Sequence, residues 1–523
     1  MKPRPSRPDR VIRRSAWLLA LVAAVVSACG SWIPSLWGDE AASVLSATRP
    51  LPSLARMLTH VDAVHGTFYF GLHWWIRIAG TSPFAVRLPD AIAVGLAVVA
   101  VVLLVGRLAD PATAVVAGLV CLLLPRMTYT GEEARSYAFS AAIAAWLLLL
   151  VVDLARGRLR GTRWWIVYGA LLALGIYVFL YLALFLAAHA LVLAASRARR
   201  GAWRAWAVAV VCALVATAPL LVLAMLERSQ IASLAGDTTT DFRSLAVGLW
   251  FTTSLYAAVA WLLIVVATAF WVVAVIRAVR TPRDADGVSE PGDDPAPRAP
   301  RPPSLELVGL AWLVLPGALL LLSNLVVADF TGRYLTMSAP GAALLIAAGL
   351  RRLAGLRLPR AVGPASARVP ALGVLTALVL ASAVPAYLSQ RTPYAKNGSD
   401  WAEISALVGA HSGGAGAIVF DESAKTSRNP RLALHTYPAG FRGLDDVTLR
   451  VPYAENSTWY DATYTVPEAL ALGRFAGVTT VWLVEYSSGG TTDTSGLADL
   501  ERAGYRVRET YRTHSSEILR LEK

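Results

Sequence analysis

The chain has 523 residues, of which 56% are hydrophobic and only 16% are charged, and its mean hydropathy is +0.53. A soluble domain does not need so much apolar surface, so this composition excludes an ordinary soluble protein and indicates a polytopic helical membrane protein. The formal net charge is +13. The arginines cluster in short loops between apolar runs, a pattern typical of the cytoplasmic loops of membrane proteins. The positive charge therefore indicates membrane topology and predicts no nucleic-acid partner.

The first apolar run, about 16–33, follows a basic tail over residues 1–15. A run of this length predicts a membrane span, and the basic flank predicts a cytoplasmic N-terminus. Asp39 and Glu40 follow directly, so we expect them on the extracytoplasmic side. Two adjacent carboxylates where a span leaves the membrane are costly if buried, which favours a functional role over a packing role.

Further apolar runs alternate with arginine-rich loops, and placing those loops in the cytoplasm predicts a transmembrane domain over 16–388. The predicted spans, about eleven in number, are 16–33, 86–106, 111–127, 137–155, 164–179, 180–196, 203–225, 247–276, 305–327, 335–351 and 369–388. The outer loop 34–85 is predicted to hold interfacial helices, because its aromatic-rich part is short for a span. The Pro-, Asp- and Arg-rich stretch 277–304 is predicted to be a disordered cytoplasmic linker.

The C-terminal segment, 389–523, has a different composition from the rest of the chain. Short β-type runs at 417–420 and 481–484 alternate with helical patterns, which predicts a small α/β domain. An odd number of spans places this domain outside. The predicted fold class is therefore a polytopic all-α membrane protein with about eleven transmembrane helices and a small C-terminal extracytoplasmic α/β domain.

Four segments on the predicted outer face carry most of the polar residues near the membrane. These segments are 37–40, 60–69, 129–137 and 330–334. A carboxylate beside a water-filled cavity acts as a general base or holds a divalent cation, and an arginine at the same level binds phosphate. Aromatic rings offer stacking faces for sugars. Together these residue types favour transfer of a group from a lipid phosphate.

Structural roles are alternatives for the same residues. Asp39 and Glu40 fit a solvated loop or a helix N-cap, and Glu133 fits the start of a helix, where acidic residues are favourable. His65 and Arg333 fit ordinary interfacial positions.

Short motifs occur in a fixed order along the chain. They are Gly38-Asp39-Glu40, Arg87-Leu88-Pro89, Glu133-Ala134-Arg135-Ser136-Tyr137 and Arg333-Tyr334 followed by Pro340. In this order they resemble the GT-C superfamily of integral-membrane glycosyltransferases, and within it the branch of protein O-mannosyltransferases and lipid A aminoarabinose transferases. The stretch His65-Gly66-Thr67-Phe68-Tyr69 stands where the family has a His-Pro-Pro-Leu-Tyr-like motif. Gly66 and Thr67 replace the prolines, and this departure from the motif argues against His65 as a metal ligand.

The resemblance implies a GT-C-like transmembrane domain, a polyprenyl-phosphate sugar as donor, and inversion at the anomeric carbon on the extracytoplasmic face. It implies Asp39 as the general base, with Glu40 and Glu133 supporting the acceptor or a metal. The other implied site residues are Arg135, Arg333 and Tyr334 for the donor phosphate, His65, Tyr69 and Tyr137 for the acceptor or sugar, and Glu40, His65 and Glu133 as candidate ligands of a divalent cation.

The implied partners are the lipid-linked donor, membrane lipids, and a cell-envelope glycan, lipid or protein as acceptor. The Ala-, Arg-, Val- and Gly-rich composition favours a high-GC genome such as that of an actinobacterium, and for such a source the resemblance implies mannose or arabinofuranose as the sugar. A transporter or flippase for an envelope lipid is a competing function, as is a non-catalytic scaffold for envelope assembly. Transporters carry polar residues at the bilayer midplane, whereas the span centres here are almost purely aliphatic, which favours an enzyme.

Overall fold

The computed structural model describes residues 7–227, 241–280, 302–325, 330–356, 368–421, 423–488, 491–492 and 495–523. The predicted linker 277–304 lies mostly outside these ranges, and its first four residues complete the helix Ser254–Arg280. The first helix, Arg7–Ala28, begins well before the predicted start of the first span.

The described chain divides into two compact units. The helical unit comprises Met1–Ser27, Asp90–Glu132 and Ser136–Tyr387. The mixed unit comprises Ala28–Pro89, Glu133–Arg135 and Leu388–Lys523. The mixed unit therefore joins the predicted outer loop to the C-terminal region.

Each predicted span overlaps helix in the part of the chain that the structure describes. The long helices that carry the helical unit are Arg7–Ala28, Pro83–Leu108, Pro111–Leu123, Tyr137–Ala155, Thr162–Val178, Leu186–Ala195, Arg200–Leu226, Ser254–Arg280, Leu305–Ser323, Ala339–Leu356 and Arg368–Ser389. Shorter helical pieces are Pro125–Thr130, Leu180–Phe185, Ser244–Gly248 and Gly332–Ser338.

Within the described ranges, seven helices are long and apolar enough to cross a membrane, so a multi-pass membrane protein is indicated but the predicted count of about eleven is not confirmed. The predicted span 111–127 is interrupted because the backbone breaks. Leu124 leaves the helical region ahead of Pro125, since a residue before proline disfavours the α conformation. Phe179 is extended at the predicted boundary between the spans 164–179 and 180–196, and the 3₁₀ segment Leu180–Phe185 follows it.

The mixed unit begins with four short helical segments between the first two long helices, within the predicted outer loop 34–85. They are Gly38–Thr48, Leu51–Leu58, the 3₁₀ turn Ala63–His65, and Gly66–Ala79. The amphipathic and aromatic-rich segments that the sequence indicates thus form separate short helices. That these short helices lie at a membrane interface stays a prediction.

The C-terminal region of the mixed unit is a small α/β domain, as predicted. Its strands are Ala417–Phe420, Asp445–Asp446, Leu449–Val451, Ala462–Thr463, Thr480–Ser488, Thr491–Thr492, Arg506–Arg512 and Ser516–Glu522, and its helical segments are Trp401–His411, Thr426–Arg428, Leu432–Thr436, Pro438–Phe441, Val466–Ala471 and Ser495–Arg502. Ala417–Phe420 pairs in parallel with Asp445–Asp446 and with Thr480–Ser488. Ser516–Glu522 pairs antiparallel with Thr480–Ser488 and with Arg506–Arg512.

The strand Ala417–Phe420 and residues 481–484 are buried on both faces of the sheet, and their alternate side chains point to opposite sides. Ile418, Phe420 and Trp482 lie on one face, where they join a core that includes Ala41 and Leu45 of the helix Gly38–Thr48. Ala41 and Leu45 are four residues apart and therefore share one side of that helix. The helix that begins beside Asp39 is thus packed into the core of the C-terminal domain.

Candidate active site

The helix Gly38–Thr48 fixes the position of the first acidic pair. Trp37 is extended, and Asp39 and Glu40 occupy the first turn, where a negative charge interacts favourably with the helix dipole. The Ser43 hydroxyl donates to the backbone carbonyl of Asp39 at 3.2 Å. Because the opposite side of the helix is packed in the core, the two carboxylates project from a rigid element.

Glu40 is completely buried and forms a bidentate ion pair with Arg87. Arg87 Nε lies 2.7 Å from Glu40 Oε1 and Nη2 lies 2.6 Å from Oε2. Glu40 Oε1 also accepts the backbone N–H of Ala134 at 2.9 Å. Arg87 donates in addition to the carbonyls of Pro34 and Ser35, at 2.8 Å and 3.3 Å. This network holds the Glu133–Arg135 segment beside the start of the helix Gly38–Thr48.

Arg135 is nearly buried and lies against that helix start. Its Nη1 donates to the Tyr69 hydroxyl at 3.0 Å, and more weakly to the Asp39 carbonyl and the Ser43 hydroxyl, both at 3.4 Å. The backbone N–H of Arg135 donates to the Glu133 carbonyl at 2.7 Å, which closes a tight turn. A guanidinium is thereby held beside the candidate base.

A second carboxylate, Asp62, completes this group. Its backbone is left-handed, with φ of 60°, and its side chain accepts the Tyr69 hydroxyl and the Trp459 indole N–H, the latter at 3.2 Å. Burial raises the pKa of the Asp62 carboxyl, and the positive charge of Arg135 opposes that rise. Burial also raises the pKa of Tyr69 well above its usual value, and the charge of Asp62 adds to the effect. His65 Nε2 lies 3.9 Å from Asp62 Oδ1.

Asp39, Asp62, Arg135, Tyr69 and Trp459 therefore form what we call the acid–arginine cluster. It contains a carboxylate at a helix start, a second carboxylate that is mostly buried, and a guanidinium that donates to the backbone carbonyl of Asp39 and, through the Tyr69 hydroxyl, connects to Asp62. Such a group can accept a proton and stabilise negative charge on a neighbouring ligand.

The predicted site residues fall into both units. Asp39, Glu40, Glu133, Arg135, His65 and Tyr69 belong to the mixed unit. Tyr137, Arg333 and Tyr334 belong to the helical unit. There Tyr334 stacks on Tyr181 with ring centroids 4.7 Å apart, and Phe179 contacts both Tyr334 and Tyr137, at 5.9 Å and 5.7 Å. Arg333 lies in the 3₁₀ segment Gly332–Ser338.

The candidate metal ligands do not form a coordinating set. In the ranges that the structure describes, no group of three or more His, Cys, Asp and Glu side chains is arranged to hold a metal ion. Both oxygens of Glu40 are already engaged by Arg87 and the Ala134 N–H, which leaves this carboxylate poorly suited to a cation. A divalent cation at Glu40, His65 and Glu133 stays a prediction.

Sequence reasoning assigned no role to Asp62, Arg87 or Trp459. The sequence did offer an indication for Asp62, because it lies only three residues from His65 and seven from Tyr69, two predicted site residues. Arg87 appeared only as part of a family motif. Nothing in the sequence indicated that Trp459 belongs to the site, because 397 residues separate it from Asp62.

Known proteins support the motif-based resemblance. Residues 68–223 match the model of the dolichyl-phosphate-mannose-protein mannosyltransferase family. The fold is similar to the crystal structure of ArnT from Cupriavidus metallidurans bound to undecaprenyl phosphate, with a TM-score of 0.52 and 14% identity over 96% of this chain and 97% of that one. The resemblance to the GT-C superfamily is confirmed.

A second solved structure extends the GT-C comparison. The arabinofuranosyltransferase AftD from Mycobacteria matches with a TM-score of 0.52 and 15% identity, over 98% of this chain and 40% of that chain. No curated protein sequence matches the chain. At these identities the solved structures show that the GT-C fold is shared.

Proposed function

We propose that the protein is a membrane glycosyltransferase that moves a sugar from a polyprenyl-phosphate donor to a cell-envelope acceptor. The observation that carries this proposal is the acid–arginine cluster, in which the carbonyl of Asp39 and the hydroxyl of Tyr69 both accept from Arg135. The family model over 68–223 and the GT-C fold support the same conclusion. ArnT, which shares the fold, is described with undecaprenyl phosphate bound, which supports a lipid phosphate as the carrier.

In the proposed reaction Asp39 is the general base. Its carboxylate takes the proton of an acceptor hydroxyl as that oxygen attacks the anomeric carbon from the face opposite the phosphate. The bond between the anomeric carbon and the phosphate oxygen breaks, and polyprenyl phosphate leaves with the electron pair. One displacement inverts the configuration at that carbon.

The remaining residues have supporting roles in this proposal. Arg135 stabilises charge on the departing phosphate, because a guanidinium matches phosphate geometry. For Arg333 and Tyr334 we propose binding of the donor phosphate, a role that rests on the motif resemblance alone. Glu40 positions Asp39 and Arg135 through its buried pair with Arg87, since its oxygens are fully engaged.

Glu133, His65, Tyr69 and Tyr137 are proposed to contact the acceptor or the sugar. Mannose and arabinofuranose are the sugars we propose, and AftD, which shares the fold, is an arabinofuranosyltransferase. We place the N-terminus in the cytoplasm and the C-terminal domain on the extracytoplasmic face, on the basis of the arginine-rich loops.

The test is Asp39→Asn in the full chain, assayed in membranes with polyprenyl-phosphate mannose and arabinofuranose as radiolabelled donors. Removal of a general base typically lowers a rate by about 10²–10⁴-fold, and we expect a loss of that size with membrane insertion unchanged. Asp445→Asn, an exposed carboxylate on a short strand of the C-terminal domain, is the matched control. Transfer retained by Asp39→Asn would remove Asp39 as the base.

A further inference from the structure

The C-terminal domain contains a cavity of about 400 Å³ that none of the assigned roles uses. This volume lies in the range of small-molecule binding sites. The side chains around it are mostly uncharged, hydrogen-bonding or aromatic. They are Ala424, Thr426, Asn429, Arg431, Leu432, His435, Thr458, Trp459, Tyr460 and Asp461.

The charged groups of this cavity already pair with one another. Arg431 Nε lies 3.1 Å from Asp461 Oδ2, and Arg431 also bonds Asp446 through Nη2. His435 Nε2 lies 2.7 Å from the same Asp461 oxygen. One guanidinium thus faces two carboxylates, which leaves no excess positive charge. A phosphate or another anion would have to compete with these carboxylates, so the cavity suits a neutral ligand.

The same network makes the cavity walls rigid. Asp461 is almost inaccessible, and its second oxygen accepts the Tyr453 backbone N–H at 2.7 Å. Arg431 is held at both ends of its guanidinium and is nearly buried. A preformed pocket loses little side-chain entropy when a ligand binds. This favours polar ligands that gain little free energy from apolar burial, such as sugars.

The aromatic wall is shared with the acid–arginine cluster. Trp459 lines the cavity while its indole N–H donates to Asp62 at 3.2 Å. Tyr460, next along the chain, lines the cavity as well, and its ring lies 6.2 Å from that of Trp459. Burial raises the pKa of the Tyr460 hydroxyl, and the negative charge of Asp39 raises it further. Tyr460 therefore lies within electrostatic reach of the proposed base.

We propose that this cavity binds the neutral glycan end of the acceptor, with Trp459 and Tyr460 as the stacking wall and Asn429, Thr426 and His435 as hydrogen-bonding partners. The assignment to the acceptor rests on the proposed function, whereas the carbohydrate chemistry of the cavity stands on its own lining. A polyhydroxyl ligand needs both apolar ring faces and dispersed donors and acceptors, and this cavity offers both.

The experiment measures binding of linear neutral manno- and arabino-oligosaccharides to the full chain in detergent by saturation-transfer NMR and calorimetry. Truncation of a central aromatic anchor costs on the order of tenfold or more in affinity. We expect that loss for Trp459→Ala and for Asn429→Ala combined with Thr426→Ala. Tyr486→Ala, an aromatic of the same domain outside this cavity, should bind as the wild type does.

Trp459→Phe separates ring stacking from the bond to Asp62. We expect it to keep most of the oligosaccharide affinity, because the aromatic face remains while the N–H is lost. Asp39→Asn should bind the oligosaccharide as the wild type does, although the proposed function predicts that its transfer rate falls by about 10²–10⁴-fold.

The outcomes separate the two proposals. Oligosaccharide binding that is lost in the cavity variants supports the cavity assignment, even if no polyprenyl-phosphate sugar is ever transferred. Wild-type protein that transfers sugar but binds no neutral oligosaccharide overturns the cavity assignment alone. Binding that survives every cavity variant, or a Ser- and Thr-containing peptide that binds there while oligosaccharides do not, overturns it equally.

Discussion

Arg87 and Glu40 form a bidentate ion pair in which neither side chain is accessible to solvent, with N–O distances of 2.7 Å and 2.6 Å. The residue next to Glu40 is the proposed base, and the segment that donates a backbone N–H to Glu40 carries Arg135. The pair therefore sets the distance between the two groups that the proposed chemistry needs. Its contribution is to geometry, since a buried ion pair is weak evidence for net stability.

Removing one partner of this pair should be strongly destabilising. Arg87→Ala leaves the Glu40 carboxylate buried and uncompensated, which typically costs about 3–5 kcal/mol. We expect a clearly lower thermal unfolding midpoint in detergent and loss of sugar transfer. The matched control is Arg512→Ala, which breaks a pair with Glu517 at the surface, where Arg512 is 84% exposed. That variant should unfold as the wild type does, and an equal loss in both variants would contradict the structural role of Arg87.

Gly38 should tolerate no side chain, because the backbone of another segment passes close by. A Cβ at Gly38 would lie 2.4 Å from the Ser427 carbonyl oxygen and 2.6 Å from Ser427 Cβ. Gly38→Ala should displace the helix start that carries Asp39, and a shift of about 1 Å at a reacting group costs roughly 10²-fold in rate. The assay is sugar transfer by purified protein.

Gly71→Ala is the control for that variant. Gly71 lies exposed in the helix Gly66–Ala79, and a Cβ there would meet no atom within 4 Å. Replacing a helical glycine by alanine typically stabilises by roughly 0.5–1 kcal/mol. Normal transfer by Gly38→Ala would show that Ser427 moves aside freely.

Asp62 should make stability depend on pH with a defined sign. Its pKa in the folded protein is raised, chiefly by burial, above the usual 3.8. Stability linked to the neutral carboxyl is present at low pH and is lost as the pH rises through the folded pKa. Relative to Asp62→Asn, the wild type should therefore lose unfolding free energy from about pH 4 upward, by at most about 1.4 kcal/mol per pH unit.

Glu468 provides a comparison of opposite sign. The Thr465 backbone N–H donates to Glu468 at 2.9 Å and lowers the pKa of this carboxyl. Its contribution is present above the usual glutamate pKa and is lost as the pH falls. Thermal unfolding of Asp62→Asn and Glu468→Gln between pH 3 and pH 8 should show opposite trends against the wild type, and parallel trends would reject the assignment for Asp62.

Arg333 should contribute to donor binding. Arg333→Ala removes a charge-assisted contact of about 1.5–3 kcal/mol, which corresponds to roughly 10–150-fold weaker binding of polyprenyl phosphate. Arg280→Ala, at the end of the helix Ser254–Arg280, is the control arginine. Calorimetric titration with a short-chain polyprenyl phosphate measures both, and equal affinities would remove Arg333 from the donor site.

The helices and the resemblance to the GT-C superfamily were accessible from the sequence because their signals are local. Apolar runs of sufficient length predict helix wherever they occur, and every predicted span overlaps a helical segment within the described residues. The broken helix before Pro125 shows where this reasoning fails, since hydropathy alone does not register the backbone constraint of proline. The placement of Asp39 and Arg135 was likewise predictable as motif order, and the structure brings them into one cluster.

The pairing of those residues was not predictable, because burial and hydrogen bonding depend on which distant surfaces meet. Glu40 appeared equivalent to Asp39 in the sequence, yet Arg87, 47 residues away, engages both of its oxygens. Trp459 reaches Asp62 across 397 residues of chain. The sequence by itself determined a chain of apolar helices with acidic and basic motifs in a set order, since composition and spacing act along the chain. The tertiary structure decided which carboxylates are buried, paired or left for chemistry, since that requires packing the helix Gly38–Thr48 into the core of the C-terminal domain.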